Sequence, residues 1–379
     1  MIVGACRSEG LKHHQSANTG QSLLLMSRVS KLLFSCVCQA LVLGLLRASP
    51  ALGCSYVQVE YPSGHAGHAE RLTARTMELG SVVGGSWEVT SYPRYVEPQG
   101  HGFIGVDLVV AAGSPLQKGF PRITSEGLNE HGLTVSAHTL RESQYQVSSN
   151  STHDGKPQLS FLRVLSSLLR NAADVSEAVA YLQQTAVVST PPFAQELMSG
   201  LHWGLSDASG RSVVIEYLEG TMRVHNNTVG VLTNDPPFPW HLYNLNTHVN
   251  LRHDWPRSNG DIRVQTEIGT VPQVIGHGYN LAGLPGDSSP SARVSRLFYL
   301  RQYAAVNNPA KSLEDAIVVG TGLINNVFII KGTVAGKSAV EGFEYVPFAV
   351  IKIPSRGIFM FRSYTDMQWR SVDLNCDTL

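Results

Sequence analysis

Apolar and polar residues alternate through Cys54-Ser-Tyr-Val-Gln-Val-Glu60, the period expected of a strand. The chain turns at Pro62-Ser-Gly64 and returns through Glu70–Glu78. A tight turn at Gly127–Gly132 feeds another strand over Leu133–Thr139. Between Gln158 and Leu182 the apolar spacing changes to three or four residues, through Phe161, Leu165, Leu168 and Leu169, then Val175, Ala178 and Leu182. This predicts two helices broken near Asn171, with Asp174 and Glu177 in the positions of a capping box. A meander follows: Leu201–Leu205, a turn at Ser206–Gly210, Ser212–Leu218, a turn at Glu219-Gly220, Thr221–His225, and Thr228–Thr233 expected to pair beyond it. Ser289 as cap and Pro290 as first residue open a helix through Tyr303, and Leu313–Ile324 predicts a second. Tyr345–Ile353 and Ile358–Ser363, joined at Pro354–Gly357, read as a late hairpin. The order of strands and helix pairs fits an α+β fold, two antiparallel sheets stacked face to face with helices outside. No linker, repeat or low-complexity tract divides it, which predicts one domain over residues 54–379.

Ahead of Cys54 the pattern is different. Met26–Lys31 is basic, Leu32–Leu46 is apolar apart from Ser35, Gln39 and Gly44, and Arg47–Gly53 carries small residues. This is the layout of a secretory leader cut after Gly53. Its apolar run is shorter than the roughly 20 residues of a membrane span. The expectation is that residues 1–53 are removed, starting from Met1 or Met26, and that the protein is secreted, periplasmic or lumenal. A lipoprotein site is the rival; it wants Leu three places before the cysteine, where Ala51 stands. Cys6, Cys36 and Cys38 fall in the leader, leaving Cys54 and Cys376, too few for a disulfide framework. A Cys54–Cys376 bridge stays open as an alternative and would leave Cys54 without a free thiol. The leader holds five of the 29 basic residues and one of the 29 acidic ones, so the remaining 326 residues carry 24 and 28, a net charge of −4. No basic stripe for nucleic acid exists. Asn150 and Asn226 head glycosylation sequons, which matter only where the host glycosylates.

A cysteine at a new N-terminus carries a nucleophile and a base together. The thiolate is the reactive form, with an unperturbed pKa of roughly 8.5, and the α-amine titrates lower, near 8, one residue's width away. Arg75, on the strand expected beside Cys54, would favour the thiolate. Asn234 offers an amide donor for the oxyanion formed when sulfur attacks a carbonyl, although Asn-Asp-Pro-Pro also reads simply as a turn. Three features look functional and are expected not to be. His65 and His68 lack further metal ligands, Trp240-His241 is assigned to packing, and Gly80–Gly85 precedes no helix that would make it a phosphate loop.

Cys54, Ala74-Arg75-Thr-Met-Glu78, Gly127–Leu133, Thr233-Asn234-Asp-Pro236, Trp240-His241, Gly283–Arg293 and Trp369–Leu374 occur in the order of one family. Together they make the chain resemble the choloylglycine hydrolases and penicillin V acylases, N-terminal-nucleophile hydrolases of linear amides. The resemblance covers essentially all of 54–379. It implies a four-layer αββα fold, no cofactor, and a small-molecule N-acyl amide substrate with a large apolar acyl group. It further implies a homo-oligomer in some members. By the same resemblance Cys54 is the nucleophile, Arg75 the active-site arginine and Asn234 an oxyanion donor. Arg293 completes the charged network, and the backbone N–H of Thr139 is the second oxyanion donor, where the family carries asparagine or tyrosine. Glu78 stands where the family has an aspartate that holds the α-amine, and it reaches one methylene farther. Two rivals remain: a catalytically silent secreted or lipid-anchored binding protein on this fold, and a ceramidase-like lipid amidase.

Overall fold

The computed structural model describes residues 53–63, 69–79, 86–94, 100–147, 155–254, 263–272, 278–336 and 342–375. Residues 1–52 of the leader, His65, His68, the 80–85 segment, Asn150 and Cys376 lie outside the described residues. Along the chain come β1 (Gly53–Pro62), β2 (Ala69–Leu79), β3 (Ser86–Tyr92), β4 (Phe103–Val109), β5 (Arg122–Asn129) and β6 (Thr134–Thr139). Next are β7 (Gln158–Ser160), α1 (Val164–Asn171), α2 (Val175–Gln183), β8 (Ala186–Val188), α3 (Ala194–Met198), β9 (Leu201–Ser206), β10 (Ser212–Leu218), β11 (Thr221–Asn226) and β12 (Val231–Leu232). The last third holds α4 (Phe238–Asn244), β13 (Arg263–Thr266), β14 (Gly269–Pro272), α5 (Pro290–Asn307) and α6 (Leu313–Asn325). It closes with β15 (Val334–Ala335), β16 (Phe343–Ile353), β17 (Ile358–Ser363) and β18 (Arg370–Asp373).

Two antiparallel sheets form the centre. One runs β12-β1-β2-β16-β17-β18, with β15 on β16; the other runs β11-β10-β9-β6-β5-β4-β3. Period-two alternation divides each strand between two cores. On β1, Val57 and Val59 join Leu297 of α5 and Leu323 of α6, while Cys54 and Tyr56 face the space between the sheets. On the other sheet, Val135 and Trp203 pack with Leu165 and Leu168 of α1 and Val175 of α2. The layers are therefore helix, sheet, sheet, helix, as the sequence pattern implies. Asp174 caps α2 by accepting from the Glu177 N–H at 2.9 Å, and the Glu177 carboxylate reaches back to the Ala173 N–H at 2.9 Å. Gly127 lets α1 sit close on β5, because a Cβ there would lie 2.3 Å from Leu169 Cδ1 and 2.9 Å from the Ile104 carbonyl.

Three local expectations need correction. Residues 158–160 form β7, parallel to β8, and α1 begins only at Val164 after a 3-10 turn at Phe161–Arg163. The short Leu159 and Val187 strands find each other before the helical period starts. Thr228–Thr233 does not extend the meander. Its apolar pair Val231-Leu232 is fully buried and pairs with β1 of the other sheet, in register Tyr56↔Leu232. β11 is too exposed a neighbour to cover both. That crossing delivers Asn234 to Cys54. The third concerns Trp240-His241: Trp240 is 45% exposed on α4, whereas His241 is buried.

Candidate active site

Cys54 sits one residue into β1 and is fully buried. The register pairs Gly53 with Glu78, Cys54 with Met77 and Tyr56 with Arg75. Arg75 is thus a diagonal neighbour of Cys54 on the same face, within reach for a long side chain. Its Nη2 lies 2.9 Å from Cys54 Sγ and also bonds the Ala137 carbonyl, and its Nη1 meets Glu126 Oε2 at 2.8 Å. Behind this contact, Ser136 Oγ donates to Glu126 Oε1 at 2.7 Å, and Lys352 Nζ bonds Glu126 and Ser136. All four groups are buried. Burial and the Arg75 charge hold the Lys352 amine well below its ordinary pKa. Burial likewise pushes the Cys54 thiol up; Arg75 and Arg293 pull it back and Glu78 opposes them. The sequence expects Arg75 to favour the thiolate; in this arrangement desolvation outweighs its charge and the thiol form prevails.

Arg293 stands in the first turn of α5, where a cation has the wrong sign for the helix dipole. Its guanidinium is held there by other acceptors. Nη1 donates to the Cys54 carbonyl at 2.8 Å and to Ser55 Oγ at 2.6 Å, Nη2 to Asn234 Oδ1 at 2.9 Å, and Nε to the Ser288 carbonyl at 3.0 Å. Asn234 Oδ1 also accepts the Cys54 N–H at 2.8 Å, while its Nδ2 donates to the Thr139 carbonyl at 3.1 Å. One carboxamide therefore ties the cysteine backbone, the arginine and the Thr139 strand end together. Glu78 Oε1 accepts from Thr76 Oγ1 at 2.6 Å, and Oε2 lies 3.5 Å from Arg293 Nη1 with no hydrogen bond. Burial raises the Glu78 carboxyl above the ordinary range despite Arg293, Thr76 and Arg75. The six residues singled out from the sequence, Cys54, Arg75, Glu78, Thr139, Asn234 and Arg293, gather in one place, from strands, a crossover and a helix start far apart in the chain.

The family model of linear amide C–N hydrolases, choloylglycine hydrolase family, matches residues 67–379. The chain belongs to that family. It is accordingly a hydrolase of linear amide C–N bonds. The match begins after Cys54, so the cysteine's placement rests on the geometry above. The chain is 29% identical over 255 residues to a bile salt hydrolase/transferase of Clostridium perfringens, spanning 67% of this chain and 74% of that protein. Its fold is similar to the crystal structure of a mutant conjugated bile acid hydrolase of the same organism, with TM-score 0.69 and 22% identity over 85% of this chain and 92% of that one. It is also similar to the penicillin V acylase of Agrobacterium tumefaciens, with TM-score 0.60 and 20% identity over 85% and 86%.

Sequence reasoning missed the residues that brace these six. Glu126, Ser136 and Lys352 carried no local signal, since a buried charge is announced only by its partners. Ser55 follows the nucleophile, where the sequence shows only alternation. The sequence assigns His241 to packing, but its Nε2 lies 3.0 Å from the Asn234 carbonyl. Elsewhere, His101, Glu130 and His131 bring three potential metal ligands within 4.8 Å, but Arg94 binds both oxygens of Glu130 and supplies the cation there. No helix among the described residues is long and apolar enough to cross a membrane.

Proposed function

We propose that the protein is a secreted amidohydrolase whose mature chain begins at Cys54 and cleaves an N-acyl amide through a cysteine thioester. The observation that carries this reading is the surroundings of the Gly53–Cys54 junction. A Cβ on Gly53 would lie 2.9 Å from Glu78 Cβ and 3.1 Å from Glu78 Oε2, and that oxygen is buried without a hydrogen bond. A buried carboxylate oxygen without a hydrogen bond is costly, even with Arg293 3.5 Å away. Removal of Gly53 would turn the Cys54 nitrogen into an amine, already 2.8 Å from Asn234 Oδ1, and give Glu78 a second cation to hold.

In that form the α-amine takes the thiol proton and Sγ attacks the substrate carbonyl carbon. The Asn234 amide and the Thr139 backbone N–H donate to the oxyanion, and Arg75 offsets charge on the sulfur. Collapse of the intermediate breaks the C–N bond, and the leaving amine takes the proton from the α-ammonium. Water, deprotonated by the same amine, then hydrolyses the thioester and releases the acid. The names of the relatives favour a bile-salt or penicillin V type of acyl group, large and apolar. The test is a panel of N-acyl amides differing only in the acyl group, assayed with protein starting at Cys54. Hydrolysis of at least one apolar member is expected; a protein with intact Cys54 that hydrolyses none would overturn the reading.

Asn234→Ala is expected to lower kcat by about 100- to 1000-fold, the usual effect of one oxyanion donor, with a much smaller change in KM. An unchanged kcat with weakened binding would make Asn234 a pocket residue instead.

Glu78→Gln is expected to lower kcat/KM at least about tenfold and to move the acid limb of its pH profile to lower pH. The α-amine must be neutral to take the thiol proton, and a carboxylate beside it favours the ammonium form, so removing that charge lets the amine lose its proton at lower pH. Glu78→Asp keeps the charge and withdraws it by one methylene, so it should retain the limb at reduced rate. Superimposable profiles for all three proteins would place Glu78 outside the mechanism.

A further inference from the structure

Behind Asn234 lie buried titratable side chains that the mechanism above does not use. His202 on β9 and Glu216 on β10 are fully buried, and His241 on α4 is 1% exposed. The chain between β12 and α4, which carries Asn234, leaves its strand at Leu232 and has no ladder of its own. Side chains hold it. His202 Nε2 lies 3.1 Å from the Thr233 carbonyl, and His241 Nε2 lies 3.0 Å from the Asn234 carbonyl. Glu216 Oε1 accepts the Phe238 N–H at 2.8 Å and lies 3.0 Å from His202 Nδ1. One residue pair thus grips the segment on both sides of Asn234, at Thr233 and at Phe238.

Both ring nitrogens of His202 face oxygen atoms, the Glu216 carboxylate on one side and the Thr233 carbonyl on the other, so the ring bridges the segment to β10. Burial alone would raise the Glu216 carboxyl, but the hydrogen bond with His202 and the His225 ring 3.5 Å from its Oε2 outweigh it and hold it down at about 2. Burial lowers His241, which keeps that ring neutral with its hydrogen on the nitrogen facing Asn234. The ring of His138, edge-on to His202 at 5.8 Å, closes the other side of the cluster.

We propose that His202 and Glu216, assisted by His241, are positioning residues for amide hydrolysis: they clamp the 233–238 segment so that the Asn234 carboxamide stays registered against Cys54 and Arg293. The proposal rests on Asn234 serving the reaction as described above. An unclamped segment would still bind substrate, because none of the three touches the reacting atoms, but the oxyanion donor would be displaced. A misplacement on the order of 1 Å is enough to slow chemistry by about 100-fold.

The test uses mature protein and the best substrate of the acyl-amide panel. Glu216→Gln keeps the shape and the acceptor for Phe238 but replaces a carboxylate with a neutral amide, which weakens its hydrogen bond with His202. It is expected to lower kcat about tenfold with KM within twofold. His202→Leu should do at least as much, and His202→Gln, which restores a donor towards Thr233, should recover most of the loss. In an Asn234→Ala background Glu216→Gln should cost less than twofold further, because its effect passes through that side chain. If Glu216→Gln does not fold, as judged by circular dichroism, His241→Gln carries the same comparison with a single bond altered. A folded variant with unchanged kcat, or a loss that multiplies in full with that of Asn234→Ala, would overturn the proposal. A wild type that hydrolyses nothing would instead sink the reading of the site itself, and this inference with it.

Discussion

Cys54→Ala is expected to abolish hydrolysis while leaving the fold in place. The thiol makes little packing contribution beyond its own volume, so its removal from a buried strand should cost about 1 kcal/mol of stability. Its chemistry has no substitute among the groups around it: Met77 Sδ at 3.3 Å is a weak acceptor, and Arg75 only supplies charge. Cys54→Ser should retain less than about 1% of activity, because a hydroxyl is far harder to ionise than a thiol beside the same arginine. Iodoacetamide should inactivate the mature protein with one equivalent bound at Cys54, located by peptide mass spectrometry. Label on Cys376 accompanied by loss of activity, or a working alanine variant, would make the nucleophile another group.

The second large effect concerns the junction at Gly53. A form that keeps residues 48–53 is expected to show less than about 1% of the mature activity. As long as Gly53 is attached, the Cys54 nitrogen is an amide: it donates to Asn234 Oδ1 and cannot accept the thiol proton. The thiol itself is held in its protonated form, since burial outweighs the two arginines. The uncut form should therefore also resist iodoacetamide at neutral pH and react only as the pH rises beyond the ordinary thiol range. Intact mass, activity and labelling rate measured on the same preparation decide the matter. A verified uncut protein with full turnover would remove the α-amine from the mechanism.

These predictions differ in how much of their basis was visible before the structure. The alternation of residues 54–60, the helical spacing of 161–182 and the Ser289-Pro290 helix start are local patterns, and they gave the right elements because period and capping chemistry act within a few residues. The 3-10 turn before α1 and the first strands of the second sheet, β3 and β4, were not foreseen. Their apolar runs are short or interrupted, and only pairing with a neighbour defines them.

The sequence alone settled the family, through a set of motifs in the order of one hydrolase family, and set an arginine on the strand expected beside Cys54. What it could not settle is where charges reside. Whether Arg75 activates the thiol depends on how much water the fold removes, and here desolvation outweighs the guanidinium 2.9 Å from the sulfur. The meeting of Asn234 with Cys54, 180 residues apart, required Val231-Leu232 to cross to the other sheet, which local pattern had assigned to the meander. The buried partners Glu126, Lys352, His202 and Glu216 were invisible for the same reason. A polar residue in a strand pattern reads as solvent-facing unless its partner is known, and the partner is supplied only when two sheets stack.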